Sequence, residues 1–478
     1  MKTAKRLLVL ILCFMLISSG LSVFADSISV RATASAVLVN GESVEFDAYN
    51  IAGNNYFKLR DLAYALNGTN KQFEVGWDGE ANAITLTSGE AYTPVGGEML
   101  AGSDSRTAIP SAVRIYLDGR EINMTAYNIA GNNYFKLRDL GQAIDFGVDW
   151  DSARNMIIID TSKNYWSMET QDIIINPGDE FELPGTLTVP VGGEGPFPLV
   201  IIVHGSGPGN RDGEMGPAIK VYRDLAEQLA SHGIASIRYD KRTRVHGQRI
   251  AADVNFTVKE ETIYDVIFAA ELALQLDNID KDKIYVAGHS LSGYLVPRIF
   301  AADINNIIAG YIFLAGNARP LTELVLEQLD YLFEIDPAVT DAVKVFFMNQ
   351  IQAAVDAVLN LTEADRGTAV VMMEGIIPAY PSYWLDLADY DPLEEIKNVD
   401  APLLFLQGSS DYQITEVDFN LWKTALEGRE NATFILYQNL THAFTFTEQQ
   451  KGTPADYMAE ATVDARVARD IADFIKNN

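Results

Sequence analysis

Ser290 stands in the stretch IYVAGHSLSG, where strand-forming residues from Ile284 to Ala287 give way to a helical pattern. A serine at a sharp strand-to-helix turn has its hydroxyl pushed above the sheet, and the turn leaves no room for a side chain two residues earlier. Gly288 fills that earlier place, Ser292 stands where a second glycine is usual, and Gly293 follows. Because a serine hydroxyl is barely ionised at neutral pH, it becomes a nucleophile only with a base beside it and a group that orients the base. The chain has five histidines. His442, in NLTHAF after the last predicted strand, has the chain position expected of that base. Asp411, in LLFLQGSSDYQI, ends the preceding strand and is the first choice for the orienting acid; Asp418, seven residues on, is the second.

Acyl transfer through such a serine also needs donors for the oxyanion. His204 begins HGSGPG directly after the predicted strand Leu199 to Val203, and a glycine-rich loop there offers a backbone N–H. The oxyanion hole is assigned to the N–H groups of Ser206 and Leu291, with Gly207 as the alternative to Ser206. His204 shapes that loop, His289 packs beneath the turn that carries Ser290, and His232 caps a helix before Gly233. Lys241, Arg242, Arg244, His246 and Arg249 form a basic cluster in a loop expected to border the site. Lys241, Arg242 and Arg244 are therefore candidates for attracting a carboxylate-bearing substrate, although ion pairing is the simpler role. Trp384, with Tyr380 and Tyr383, is a candidate apolar wall.

The elements that must position these residues alternate. Strand-like runs at 181–189, 199–203, 234–239, 284–287, 311–314, 403–406 and 433–437 are separated by amphipathic stretches such as 222–230 and 262–276, the pattern of a doubly wound, mostly parallel sheet. About eighty residues between Ala315 and Leu403 exceed what the fold needs and predict a helical cap near 317–388, with helices at 321–333 and 342–359. The motifs ELPGTLTVP, HGSGPGNRDG, YDKR, GHSLSG, LQGSSDYQ and THAF follow one another in an order that resembles the secreted α/β-hydrolases grouped with dienelactone hydrolases and the S9 or S33 serine peptidases. That resemblance covers residues 168–478. It implies hydrolysis of a small or polymer-linked carboxylic ester through a Ser-His-Asp triad and an acyl-enzyme, with no cofactor; peptide or amide hydrolysis is the variant it also allows. TRVHGQ after YDKR departs from the glycine-rich turn usual in related sequences.

Upstream, AYNIAGNNYFKLRDL occurs at Ala48–Leu62 and again, identically, at Ala126–Leu140. Duplication is the source, and each unit is predicted to be strand, turn, short helix and strand. Residues 30–162 resemble the bacterial module named after the N-terminal stalk domain of copper amine oxidases. They contain no histidine or cysteine, so no metal is predicted; a spacer or a module that holds cell-wall or surface material is the expectation, and a catalytically dead hydrolase carried by such a module is the competing one. Lys2, Lys5 and Arg6 precede an apolar run to Phe24, which reads as an export signal over residues 1–25, cleaved after Ala25; an uncleaved membrane anchor is the alternative. No later segment is expected to span a bilayer. The protein is thus expected to be secreted or held at the cell surface. The formal charge of -29 would repel phosphate backbones, which excludes nucleic acid as a partner. The one cysteine, Cys13, lies in the apolar run, which leaves no disulfide, thiolate metal site or cysteine nucleophile elsewhere.

Overall fold

A computed structural model describes residues 28–478 apart from 80, 101–104, 123, 152–153, 163–164, 166 and 192–194. Residues 1–25, read as an export signal, lie outside the described residues. The chain divides into two compact units, one ending at Ser167 and the other running from Met168 to Asn478 apart from residues 191–193.

In the first unit the repeated segment is a β-hairpin followed by a helix. Strands Ala48–Ile51 and Asn54–Lys58 pair antiparallel, as do Ala126–Ile129 and Asn132–Lys136. Both two-residue turns hold positive φ at each position (Ala52 47°, Gly53 80°; Ala130 50°, Gly131 83°), the twist that closes a hairpin tightly. Phe57 lies in the second strand of its hairpin, and the short helix predicted for the unit is Leu59–Ala65. The two copies interlock rather than follow one another. Tyr56, Phe57 and Lys58 pair with Lys136, Phe135 and Tyr134 inside a closed six-stranded barrel. Two further sheets also mix strands of both copies, Ala36–Val39 beside Met156–Asp160 and Ala83–Ser88 beside Arg114–Leu117. Phe57, Leu62, Phe73, Phe135, Leu140 and Phe146 meet in one core, which neither copy could close alone.

The second unit is built on eight strands: β1 (Ser167–Ile175), β2 (Leu183–Val191), β3 (Phe197–Val203), β4 (Ala235–Tyr239), β5 (Ile279–His289), β6 (Gly310–Leu314), β7 (Leu403–Gly408) and β8 (Ala432–Tyr437). Their order in the sheet is 1-2-4-3-5-6-7-8. β2 runs antiparallel to β4, and β4, β3, β5, β6, β7 and β8 are parallel to their neighbours. This is the α/β-hydrolase arrangement. The apolar runs are continuous because the central strands are covered on both faces. Val200, Ile202, Ala287, Leu314, Leu404 and Leu406 face the helices α1 (Val221–Ala230) and α8 (Ala465–Asn477), which contribute Leu225, Leu229, Val467, Ile471 and Ile475 to the same core. Between α1 and α8 lie α2 (Tyr264–Ala273), α3 (Val296–Ala302), α4 (Leu321–Ile335), α5 (Asp341–Leu359), α6 (Pro381–Ala388) and α7 (Glu416–Ala425).

Helices α4, α5 and α6 occupy the expected cap region. Phe333, Phe347 and Ile351 form a small core of their own there, joined by Leu326, Met348 and Ile376. By length and composition α5 could cross a membrane, contrary to the reading that no later segment could; in the cap it buries Phe347, Ile351, Val355 and Val358. Among the described residues, the core between the sheet and helices α1 and α8 is built from residues Val200 to Ile475, so a chain of residues 168–478 is expected to unfold in one cooperative calorimetric transition. A broad, featureless trace would show that it needs the first unit to fold.

Candidate active site

Ser290 follows β5 with φ 55° and ψ −117°, a conformation that L-residues adopt only when their surroundings impose it. Its N–H donates to the Leu314 carbonyl at the end of β6 (2.9 Å), and its carbonyl accepts from Gly293 N–H (2.9 Å). A Cβ on Gly288 would lie 2.7 Å from the Ser292 carbonyl oxygen, and one on Gly293 would lie 2.5 Å from the Gly316 Cα. The second close approach in the turn thus falls at Gly293. Ser292, wholly buried, donates its hydroxyl to the His204 carbonyl.

The parallel strands bring Asp411 and His442 to the same carboxyl edge. His442 Nδ1–H donates to Asp411 Oδ2 at 2.7 Å, both side chains being buried. Asp411 is held by N–H donors from Gln413 (2.7 Å) and Ile414 (3.0 Å) on Oδ1 and by Gln407 Nε2 (3.2 Å) on Oδ2. Gly408 permits this arrangement, since a Cβ there would lie 2.3 Å from the Leu440 carbonyl of the loop that carries His442. Asp418, the second choice for the acid, is committed elsewhere. It accepts from the N–H groups of Ala318 (2.9 Å) and Arg319 (3.0 Å) and pairs with the Arg319 guanidinium (2.8 Å), which ties α7 to the start of the cap.

The loop after β3 carries one proposed oxyanion donor, Ser206, and the turn after β5 carries the other, Leu291. A Cβ on Gly205 would lie 3.0 Å from Ser290 Cβ, so the loop can approach the serine only with glycine there. Ser206 N–H donates to no backbone carbonyl among the described residues, and Leu291 N–H opens its helical turn, where no carbonyl is available within the helix. His289 Nε2–H donates to the His442 carbonyl (3.0 Å); its Nδ1 therefore accepts from the Tyr222 hydroxyl (3.0 Å), whose oxygen accepts from Gly205 N–H (3.3 Å). His289 lies beneath the turn as expected, linking the base's backbone to the Gly205 loop. Nothing in VYRDL marks Tyr222 for this place.

The basic cluster is not a free cationic rim. Lys241 is buried, with its ammonium on Glu261 (2.6 Å) and the Gly205 carbonyl (2.7 Å). Arg242 is buried against Asp265, and Arg249 pairs with Glu180 (3.4 Å). Only Arg244 of the three proposed attractors is exposed. A cavity of about 550 Å³ opens beside the Ser206 loop, lined by Ser206, Phe256, Glu261, Ile376, Tyr380 and Tyr383 among others; no lysine or arginine lines it. Attraction of a substrate carboxylate is therefore corrected for Lys241 and Arg242, which are neutralised internally; Arg244 is exposed and does not line this cavity. Trp384 is corrected likewise: it is 4% exposed and packs on Tyr383 (5.8 Å between rings), and Tyr383 forms the wall instead.

The dienelactone hydrolase family matches residues 364–477. The esterase EstD of Thermotoga maritima is 34% identical over 306 residues, which cover 64% of this chain and 67% of that protein. Among solved structures, Est1E from Butyrivibrio proteoclasticus aligns at 16% identity over 64% of this chain and 98% of its own, with a TM-score of 0.40. An esterase of Pyrobaculum calidifontis aligns at 16% identity over 65% of this chain and 85% of its own, with a TM-score of 0.38.

Burial sets the charge state of the interior histidines. It pushes His204 and His289 down to about 3, helped by the Lys241 ammonium beside His204 and by His442 beside His289. Both stay neutral in the folded chain while their unfolded counterparts protonate below about pH 6.5. The unfolded state then binds more protons, so stability present above pH 6.5 is lost as the pH falls toward 3. Asp265, which burial raises to about 6 against the pull of Arg242, acts in the opposite sense below that pH and offsets one of the two. The urea midpoint is expected to fall between pH 7 and pH 4.5, each imidazole contributing on the order of 2 kcal/mol. His289→Gln should lower the midpoint at pH 7 but shrink its fall on acidification; an unchanged fall would contradict the assignment.

Proposed function

Since the chain belongs to the esterases of the dienelactone hydrolase family and hydrolyses esters, we propose that it does so through Ser290, His442 and Asp411, on neutral esters with an apolar portion that fills the cavity under the cap. The observation that carries the triad is the 2.7 Å His442–Asp411 pair on the sheet edge where Ser290 holds its strained turn. In this reading His442 takes the Ser290 proton through Nε2 as Oγ attacks the acyl carbon. Asp411 keeps the other nitrogen protonated and steadies the imidazolium that forms. The N–H groups of Ser206 and Leu291 receive the oxyanion. Collapse expels the alcohol, which leaves with the proton from His442, and water attacks the acyl-enzyme by the same steps in reverse.

The cavity supports the choice of substrate. Its walls are mainly apolar; of its two charged members, Asp253 is acidic and Glu261 is neutralised by Lys241, so neither offers a cation to an anionic substrate. Export rests on the sequence of residues 1–25, and retention at cell-wall or surface material rests on the resemblance of residues 30–162.

Ser290→Ala and His442→Ala are each expected to lower kcat by roughly 10⁴- to 10⁶-fold with the fold intact, since nucleophile and base act as a unit. Asp411→Asn should cost roughly 10⁴-fold by losing the tautomer. Asp418→Asn should instead lower the melting temperature; a larger kinetic loss there than at Asp411 would move the acid to Asp418. On paired substrates of similar size, a neutral ester is expected to give the higher kcat/KM than one bearing a carboxylate near the acyl carbon. Preference for the anionic ester would overturn the reading of the cavity.

A further inference from the structure

The YDKR motif remains without a role in the triad, yet its lysine reaches the loop that faces Ser290. Lys241 Nζ donates to the Gly205 carbonyl at 2.7 Å. That carbonyl and the Ser206 N–H are the two ends of one peptide group. A trans peptide is planar, so fixing the direction of its C=O fixes the direction of its N–H. A cation on the oxygen also draws electron density from the nitrogen and makes the N–H a stronger donor.

The ammonium has no freedom to leave. Glu261 Oε1 holds it at 2.6 Å, and the lysine and the glutamate are 2% and 6% exposed. Glu261 Oε2 accepts from the Tyr383 hydroxyl at 2.7 Å, so the chain of contacts runs from the cap helix α6 through Glu261 and Lys241 to the Gly205–Ser206 peptide. The preceding peptide group, His204–Gly205, is held by its Gly205 N–H on the Tyr222 hydroxyl oxygen and by its His204 carbonyl on the Ser292 hydroxyl, so the chain is fixed on the near side of Gly205 as well. Arg211, in the glycine-rich loop, pairs with Asp240 of the motif at 2.9 Å, and Lys241 N–H donates to the Gly209 carbonyl at 3.1 Å, so loop and motif form one clamped unit.

We propose that Lys241 is a positioning residue of the oxyanion hole, acting through the Gly205 carbonyl on the Ser206 N–H and anchored by Glu261. This rests on the reading of Ser206 as an oxyanion donor. It makes the buried lysine part of transition-state stabilisation without contact with substrate. A purely structural ion pair would affect stability alone.

The test is the paired variant Lys241→Met with Glu261→Gln, which leaves no buried charge alone and keeps a partner for Tyr383. After its fold is checked by circular dichroism, kcat and KM are measured on a neutral nitrophenyl ester. Affinity is measured for a trifluoromethyl ketone, whose adduct with the serine oxygen places an oxyanion in the hole. We expect kcat/KM to fall roughly 10- to 100-fold, ketone affinity to fall by a similar factor and KM to change less than about threefold, as for weakening one oxyanion donor. If the pair does not fold, Lys241→Gln, which can still bond Glu261, is expected to move the same quantities in the same direction. A folded variant whose ketone affinity is unchanged overturns the proposal, whether or not kcat falls. Failure of the wild-type chain to bind the ketone would overturn the triad and oxyanion reading itself.

Discussion

Ser290 is held at φ 55° and ψ −117°, a backbone state that costs about 1–3 kcal/mol and persists only where neighbours leave no alternative. Those neighbours come from several strand ends. Leu314 of β6 takes its N–H, Gly293 meets Gly316, Gly288 meets the Ser292 carbonyl and Gly205 meets the serine's own Cβ. The glycine contacts are approaches that a side chain would block, and those made by Gly205, Leu314 and Gly316 depend on β3, β5 and β6 standing side by side in that order. The core that fixes the order therefore also supplies the strain that presents the hydroxyl.

Around this turn, four cations are paired inside an acidic protein. Lys241 with Glu261, Arg242 with Asp265, Arg238 with Asp212 and Arg211 with Asp240 are all buried or partly buried pairs of the second unit. Such pairs add little net stability, because desolvation offsets their attraction, but removing one partner leaves a stranded charge. What they confer is a fixed geometry, and here they fix the loop that carries Ser206 and the segment that walls the cavity.

The parts of the site that were legible in the sequence are those whose evidence is local. A strand, two glycines and a serine within ten residues define the turn at Ser290, and an aspartate or histidine a few residues past an apolar run lies near a strand end. The strands themselves were visible because their buried faces make unbroken apolar runs, though β1, at the sheet edge with a mixed run SMETQDIII, gave no such signal. Partnership was not legible. Lys241 and Arg242 look like a cationic patch because composition shows charge but not the Glu261 and Asp265 that meet it from twenty residues or more away. Trp384 and Tyr383 are adjacent and alike in type, and only the packing of α6 decides that Tyr383 faces the cavity. In the first unit, the repeat was plain while the exchange of strands between copies was hidden, since pairing between distant segments leaves no local periodicity.

The most direct measurement is reaction of the intact chain with a fluorophosphonate, followed by digestion and mass spectrometry of the modified peptide. One phosphonyl group per chain is expected, on Ser290 in the peptide containing GHSLSG, formed by the folded protein and not by the urea-unfolded chain. A group on another serine, or no adduct from a folded and active protein, would contradict that assignment.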